Sequence, residues 1–238
     1  MLSVAPRFLV FDLDGTLIDS SLDLCHSVNA ALEHVRKPSL PNALIESYIG
    51  DGAAMLVRRA LGDPGDLDAL HPREGDDLFR RTFEYFLHYY REHKLDNTRC
   101  YDGVIEALTE IRARQSDLPM AVLTNKPVNP SREICSALGL EPFFFQNYGG
   151  NSFETKKPDP SGLLKLIGEA TSLLERGAKL SPSEVVMIGD SDVDVLTARR
   201  CGARSLGCTF GLAPAALAAA APDATVDHPS EWLTALGL

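Results

Sequence analysis

The sequence predicts an α/β fold in which parallel strands are joined by helical crossovers, with an all-helical block inserted after the first strand. Three observations predict it. From Tyr101 onward, short apolar runs alternate with amphipathic helical patterns, the arrangement expected of strands connected by crossover helices. From about Ser20 to Lys94 the spacing is helical and strand-poor. A first apolar run, Arg7 to Phe11, precedes that stretch. The 238 residues leave room for one large domain or one domain carrying a smaller insertion. Residues 1–19 and 99–238 are assigned to the sheet-bearing core, and 20–98 to the helical insertion.

The elements follow in order. Behind Ser20 and Ser21, a good N-cap pair, Leu22, Cys25, Val28, Leu32 and Val35 recur at helical spacing. Shorter helical patterns run from Asn42 to Ile49 and from Ala53 to Leu61, where Gly62 can end the helix. Leu78, Thr82, Phe83, Phe86, Leu87 and Tyr90 mark another amphipathic helix. The alternating part then predicts a helix Val104 to Arg114, a strand Met120 to Leu123 and a helix Ser131 to Leu138 closed by Gly139. The aromatic run Phe143 to Phe145 fits either class. A helix Gly162 to Leu174, a strand Val185 to Ile188 and a helix Val193 to Cys201 closed by Gly202 follow. The chain ends with a strand Ser205 to Thr209, an alanine-rich surface helix Ala213 to Ala221, a weak strand Ala224 to Val226 and a helix Glu231 to Leu236.

Composition excludes some functions. With 33 acidic and 23 basic residues the net charge is −10, and no run of adjacent Lys or Arg exceeds two, so nucleic acid and anionic lipid are poor partners. No segment reaches the roughly 20 apolar residues that span a bilayer, and the apolar start runs directly into Asp12 without a leader pattern. Cys25, Cys100, Cys135, Cys201 and Cys208 are odd in number, widely spaced and never in a CxxC pair, as expected of reduced thiols in the cytoplasm. His26, His34, His71, His88, His93 and His228 share no ligand spacing and read as surface or insertion residues.

The residues that carry chemistry stand where strands should stop. Phe8-Leu9-Val10-Phe11 leads into Asp12-Leu13-Asp14-Gly15-Thr16, and Val185 to Ile188 leads into Gly189-Asp190-Ser191-Asp192-Val193-Asp194. Open α/β sheets bind ligands at the carboxyl ends of their strands, so Asp12, Asp14 and Asp190 can converge. Converging carboxylates repel or take up protons unless a hard divalent ion sits among them, and an all-oxygen set favours Mg2+. Taken singly, Asp and Gly after a strand make turns and helix caps. Two such strand ends, together with Thr124-Asn125-Lys126 after a third strand and Lys156-Lys157-Pro158-Asp159-Pro160 beyond, argue for a site. A Thr hydroxyl and a nearby Lys offer a phosphoryl group one donor and one compact positive charge. Alone, Thr124 is a strand-end cap and Lys157 a solvated loop charge.

In this order the four segments resemble the signature of the haloacid dehalogenase superfamily of phosphohydrolases: DLDGT from Asp12, a second motif ending in Thr124, a third centred on Lys157, and GDSDVD from Gly189 to Asp194. The resemblance implies a Rossmann-like parallel sheet core with a helical cap inserted between the first and second motifs. It implies that Asp12 attacks phosphorus to form an aspartyl-phosphate that water then hydrolyses. Asp14 protonates the leaving oxygen and later takes a proton from that water. The implied Mg2+ ligands are the Asp12 carboxylate, the Asp14 backbone carbonyl and Asp190, while Asp194 holds a metal-bound water or orients Lys157. Thr124 and Asn125, with backbone N–H groups after Asp12, bind phosphoryl oxygens beside Lys157. An acid two residues after the nucleophile also separates phosphatases and phosphomutases from dehalogenases and phosphonatases.

Within the superfamily, TNKP at Thr124 to Pro127, KKPDP at Lys156 to Pro160, YIGDGA at Tyr48 to Ala53 and GDSDVDVLTA at Gly189 to Ala198 are similar to bacterial phosphoglycolate phosphatases. In that group the cap loop matching Ile49 to Gly52 closes over a small substrate, which makes Gly50, Asp51 and Gly52 candidate substrate contacts; the competing reading is that the two glycines merely separate two cap helices. Arg58 is a candidate for a substrate carboxylate or a solvated helix charge. Asp159 stands where this group more commonly has His, and Ala170 to Leu180 is longer and more basic than usual, as a surface loop would be. The expected partner is a small phosphorylated metabolite, for a monomer or homodimer. The competing readings are a phosphatase of another small ester or of pyrophosphate, a β-phosphoglucomutase-like phosphomutase, disfavoured by Leu24 where a cap His is wanted, and an inactive binding protein of the same fold.

Overall fold

A computed structural model describes residues 5–63, 77–174 and 179–238. In chain order the strands and α-helices are β1 (Phe8–Phe11), β2 (Ile18–Asp19), α1 (Ser21–His34), α2 (Asn42–Glu46), α3 (Ala53–Ala60), α4 (Asp77–His93), β3 (Arg99–Cys100), α5 (Val104–Arg114), β4 (Met120–Leu123), α6 (Val128–Ala137), β5 (Gln146–Tyr148), α7 (Ser161–Leu173), β6 (Val185–Gly189), α8 (Asp192–Cys201), β7 (Arg204–Cys208), α9 (Pro214–Ala220), β8 (Ala224–Val226) and α10 (Trp232–Leu236). The chain divides into one unit of Met1–Asp19 with Cys100–Leu238 and another of Ser20–Arg99.

The first unit is built on a six-stranded sheet in the order β5-β4-β1-β6-β7-β8, with every pair parallel. Parallel sheets are covered on both faces, which is why β1, β4 and β6 read as unbroken apolar runs. Their side chains alternate between two cores. Leu9, Phe11, Met120, Val122, Val186 and Ile188 pack with Leu108 of α5, Ile134 of α6 and Trp232 of α10. Phe8, Val10, Ala121, Leu123, Val185 and Met187 pack with Leu163 and Leu166 of α7 and Ala198 of α8. Strand order turns outward in both directions from β1: β4 and β5 lie on one side, β6 to β8 on the other. Such a reversal opens a crevice at the carboxyl ends of the two strands that flank it.

The helical unit has its own core of Leu24, Cys25, Val28, Leu32, Ile45, Leu56, Val57, Phe79, Phe86 and Tyr90. Helix α1 starts behind Ser20 as expected, but the Ser20 side chain makes no capping hydrogen bond. The ambiguous aromatic run is resolved as a 3-10 turn, Glu141–Phe143, followed by the edge strand β5. Helix α6 begins at Val128 rather than Ser131, because Pro130 falls in its first turn, where no intrahelical N–H is required. Helix α2 stops at Glu46, short of the expected Ile49, and β7 begins at Arg204 and ends at Cys208. The expected loop Ala170 to Leu180 is helical through Leu173, and its residues 175–178 lie outside the described residues, as does His71. None of the five cysteines forms a disulfide. Among the described residues, no helix is long and apolar enough to cross a membrane.

Candidate active site

Register brings the acids together. Phe11 of β1 stands opposite Ile188 of β6, and the Asp12 N–H donates to the Ile188 carbonyl at 2.8 Å, so Asp12 and Asp190 leave adjacent strands at the same level. Gly15, at φ +83°, lets the chain turn back, and a side chain there or at Gly211 would collide with Asp190. Asp190 is held further by the Leu212 N–H, 2.6 Å from its Oδ2. Helix α8 positions Asp194 through a capping box: Ser191 N and Oγ both donate to Asp194 Oδ2, at 3.2 and 2.7 Å.

Asp12, Asp190 and Asp194 are all buried and present carboxylate oxygens within 4.8 Å of one another. Lys157 enters this group, with Nζ 2.8 Å from Asp12 Oδ1 and 2.6 Å from Asp194 Oδ1. Burial drives the Asp12 carboxyl up to about 7; Lys157 opposes the rise and Asp194 adds to it. Burial likewise drives Asp190 well above the carboxylate range, with Asp194 and Asp12 contributing. For Lys157, burial disfavours the ammonium, but Asp12 and Asp194 outweigh it and hold the proton more tightly than usual. Three carboxylates against one ammonium leave two formal negative charges in a buried space. A divalent cation on oxygen ligands is the group that fits this donor set.

The remaining predicted residues fall in two places. Asp14 lies beside the cluster in sequence but its carboxylate is turned to Lys126, whose Nζ is 2.8 Å from Oδ1 and 3.1 Å from Oδ2. Thr124 is buried, and its Oγ1 accepts the Lys126 N–H at 3.1 Å. Asn125, expected on a phosphoryl oxygen, uses its Nδ2 to donate to the Lys157 carbonyl at 3.1 Å and so ties the end of β4 to the lysine loop. Asp159, in place of the expected His, accepts from Ser161 N and Thr155 Oγ1, both at 2.9 Å, and starts α7.

Gly50, Asp51, Gly52 and Arg58 belong to the helical unit. Gly50 and Gly52 are both at positive φ, and Asp51 pairs with Arg59 at 2.5 Å. Arg58 is not a solvated helix charge. It is 1% exposed, its guanidinium lies 4.1 Å from the Phe79 ring centroid, and Nη1 is 2.9 Å from Asp63 Oδ2. The reason is its position among the buried residues of α3, Met55 to Arg58, with its guanidinium against Phe79 of α4. The residue that sequence reasoning passed over is Lys126. TNKP carries no signal for it; the parallel pairing of β1 with β4 in the structure sets the residues after Phe11 beside those after Val122.

Comparison with known proteins agrees with this geometry. Residues 9–208 match the family model of haloacid dehalogenase-like hydrolases, a span that contains every residue of the acid and lysine cluster. The chain is 36% identical over 228 residues to a phosphoglycolate phosphatase of Chromobacterium violaceum, covering 94% of each. It is 33% identical over 236 residues to one of Yersinia pestis, covering 98% of this chain and 94% of the relative. A solved structure from Haemophilus somnus 129pt, named a predicted phosphoglycolate phosphatase, superposes with a TM-score of 0.85 at 30% identity, covering 98% of this chain and 99% of that one. With a nest of carboxylates at the centre of a parallel sheet and a family match across most of its length, the chain belongs to the haloacid dehalogenase-like hydrolases.

Proposed function

We propose that this protein is a Mg2+-dependent phosphomonoester hydrolase that works through an aspartyl-phosphate and that its substrate is 2-phosphoglycolate, released as glycolate and phosphate in the cytoplasm. One observation carries the reaction class: two aspartates two residues apart, Asp12 and Asp14, are held by different lysines in different settings. Asp12 is buried within the cation-binding nest, whereas Asp14 is half-buried outside it. That division suits a nucleophile and a proton shuttle. The relatives' shared name supports the choice of substrate.

The residues divide the work as follows. The ion would be held by the carboxylates of Asp12 and Asp190 and the backbone carbonyl of Asp14, with Asp194 beside them. When bound, it supplies positive charge that polarises the phosphoryl oxygens. An Asp12 oxygen attacks phosphorus as the bond from phosphorus to the leaving oxygen breaks, and Asp14 gives that oxygen its proton. Water then attacks the aspartyl-phosphate, Asp14 takes the water's proton, and phosphate leaves with Asp12 restored as a carboxylate. Lys157, fixed by Asp194 and by Asn125 at its carbonyl, stabilises charge on the equatorial oxygens. Thr124 offers its hydroxyl to the phosphoryl group, and the cap residues Gly50, Asp51 and Gly52 meet the remainder of the substrate. Arg59, paired with Asp51 and donating to the Tyr48 carbonyl, supports that loop, and Arg58 is the residue offered to the substrate carboxylate.

The test is a substrate panel with Mg2+, comparing kcat/KM for 2-phosphoglycolate with sugar phosphates, nucleotides and pyrophosphate. Phosphoglycolate is expected to lead the panel, and chelation to remove the activity. Asp12→Asn is expected to lower turnover by at least about 10^4-fold, since an amide is a poor nucleophile. Full activity in a folded Asp12→Asn protein would overturn the mechanism, and glycolate release no faster than from generic esters would overturn the substrate.

A further inference from the structure

Lysines at strand ends are ordinarily solvated, but Lys126 is 6% exposed and its ammonium spans both oxygens of Asp14. The two strands that deliver these residues, β1 and β4, are neighbours in register, with Phe11 opposite Val122. The Lys126 backbone is fixed as well. Its N–H donates to Thr124 Oγ1 at 3.1 Å, and its carbonyl accepts the Gly150 N–H at 2.8 Å. The ammonium therefore rises from a pinned main chain through a buried space, and the Asp14 carboxylate, 13% exposed, lies over it. A group that must hand a proton to one particular oxygen depends on aim, and a misplacement of about 1 Å costs about 10^2-fold in rate.

We propose that Lys126 is the positioning residue for Asp14: it grips both carboxylate oxygens and fixes the direction in which Asp14 meets the leaving oxygen. The proposal rests on the phosphatase reading above. Its signature is a dependence on the leaving group. An alkoxide needs its proton as the bond to phosphorus breaks, whereas p-nitrophenolate leaves without one. Substrate binding by Lys126 would instead follow the presence of a carboxylate on the ester.

The experiment measures first-turnover leaving-group release, with steady-state kcat and KM beside it, for the Mg2+-loaded wild type, Lys126→Met, Lys126→Arg, Asp14→Asn and the Lys126→Met/Asp14→Asn double variant. The substrates are 2-phosphoglycolate, ethyl phosphate and p-nitrophenyl phosphate. Lys126→Met is expected to lower first-turnover release of the leaving group from both alkyl esters by about 10^2-fold with little change in KM, and to keep first-turnover release of p-nitrophenolate within about threefold of wild type, whereas the later hydrolysis of the aspartyl-phosphate, which also uses Asp14, is common to all three esters. That retained activity also reports that the variant is folded. Lys126→Arg, which keeps the charge but displaces it, is expected to show the same contrast to a smaller degree. The double variant is expected to be no worse on alkyl esters than Asp14→Asn, because two residues acting as one unit are not additive. Equal loss of first-turnover leaving-group release on all three esters in both Lys126 variants would overturn the proposal, as would a loss confined to phosphoglycolate with raised KM, or additive losses in the double variant. A wild type inactive on every ester would refute the phosphatase reading instead.

Discussion

At the residue scale the site is a contest between burial and charge. The carboxyls of Asp12 and Asp190 are raised in the folded protein, Asp12 to about 7 from 3.8 in an unstructured chain, with burial the largest cause for both. Between those values the folded protein holds protons that the unfolded chain has released, so the metal-free protein loses stability as pH rises through this window. Lys157 adds no slope there, because its raised value places its loss above 10.5. In EDTA the urea midpoint is therefore expected to be higher at about pH 5 than at about pH 7.5, and Mg2+ is expected to shrink or invert the difference, since it binds the ionised set. A midpoint in EDTA that climbs over this range would contradict the assignment. The convergence of Asp12 and Asp190 was legible because both follow apolar runs that a parallel sheet ends at one edge, whereas Lys157 was singled out only by the order of the four motifs. The pairing of Lys126 with Asp14 was not legible, since nothing in TNKP itself says that the lysine turns inward.

Elements were legible in proportion to their burial. β1, β4 and β6 are covered on both faces and so spell themselves out in Val, Leu, Ile, Phe and Met. β5 lies at the sheet edge with half-buried Gln146, Asn147 and Tyr148, which leaves it no apolar signature. A second polar anchor was also hidden. Asp23, buried in α1, accepts hydrogen bonds from Asn97 N, Asn97 Nδ2, Thr98 N and Thr98 Oγ1, at 3.0, 2.8, 2.8 and 2.8 Å. Burial works to raise its carboxyl, but these four bonds prevail and hold it below the usual range. They tie the first turns of α1 to the segment that leads into β3. Asp23→Ala is expected to destabilise the protein by about 3 kcal/mol, read by urea denaturation, because it strands donors around a buried charge acceptor. A change under about 0.5 kcal/mol would show that water replaces the carboxylate without loss.

At the scale of the whole molecule, a net charge of −10 surrounds a site proposed to take a small anion. Long-range fields therefore slow the encounter, leaving capture to Lys157 and the proposed cation. Raising ionic strength from about 0.01 to about 0.15 M shortens the Debye length from about 30 to about 8 Å. In stopped or steady-state assays at fixed Mg2+, kcat/KM is expected to rise about two- to threefold over that range. A steep fall would mean that the substrate is drawn in by a positive surface field that the composition does not suggest.

The packing of Gly15 and Gly211 around Asp190 has a consequence for how such a protein can diverge. Adding even a methyl group at either position drives it into the aspartate. Single substitutions there cannot adjust the nest by degrees; they can only break it. New substrate preferences are therefore expected to arise from residues that have room to vary. A descendant acting on a different ester would be expected to keep these two glycines along with Asp12, Asp14, Lys157, Asp190 and Asp194, and to differ elsewhere.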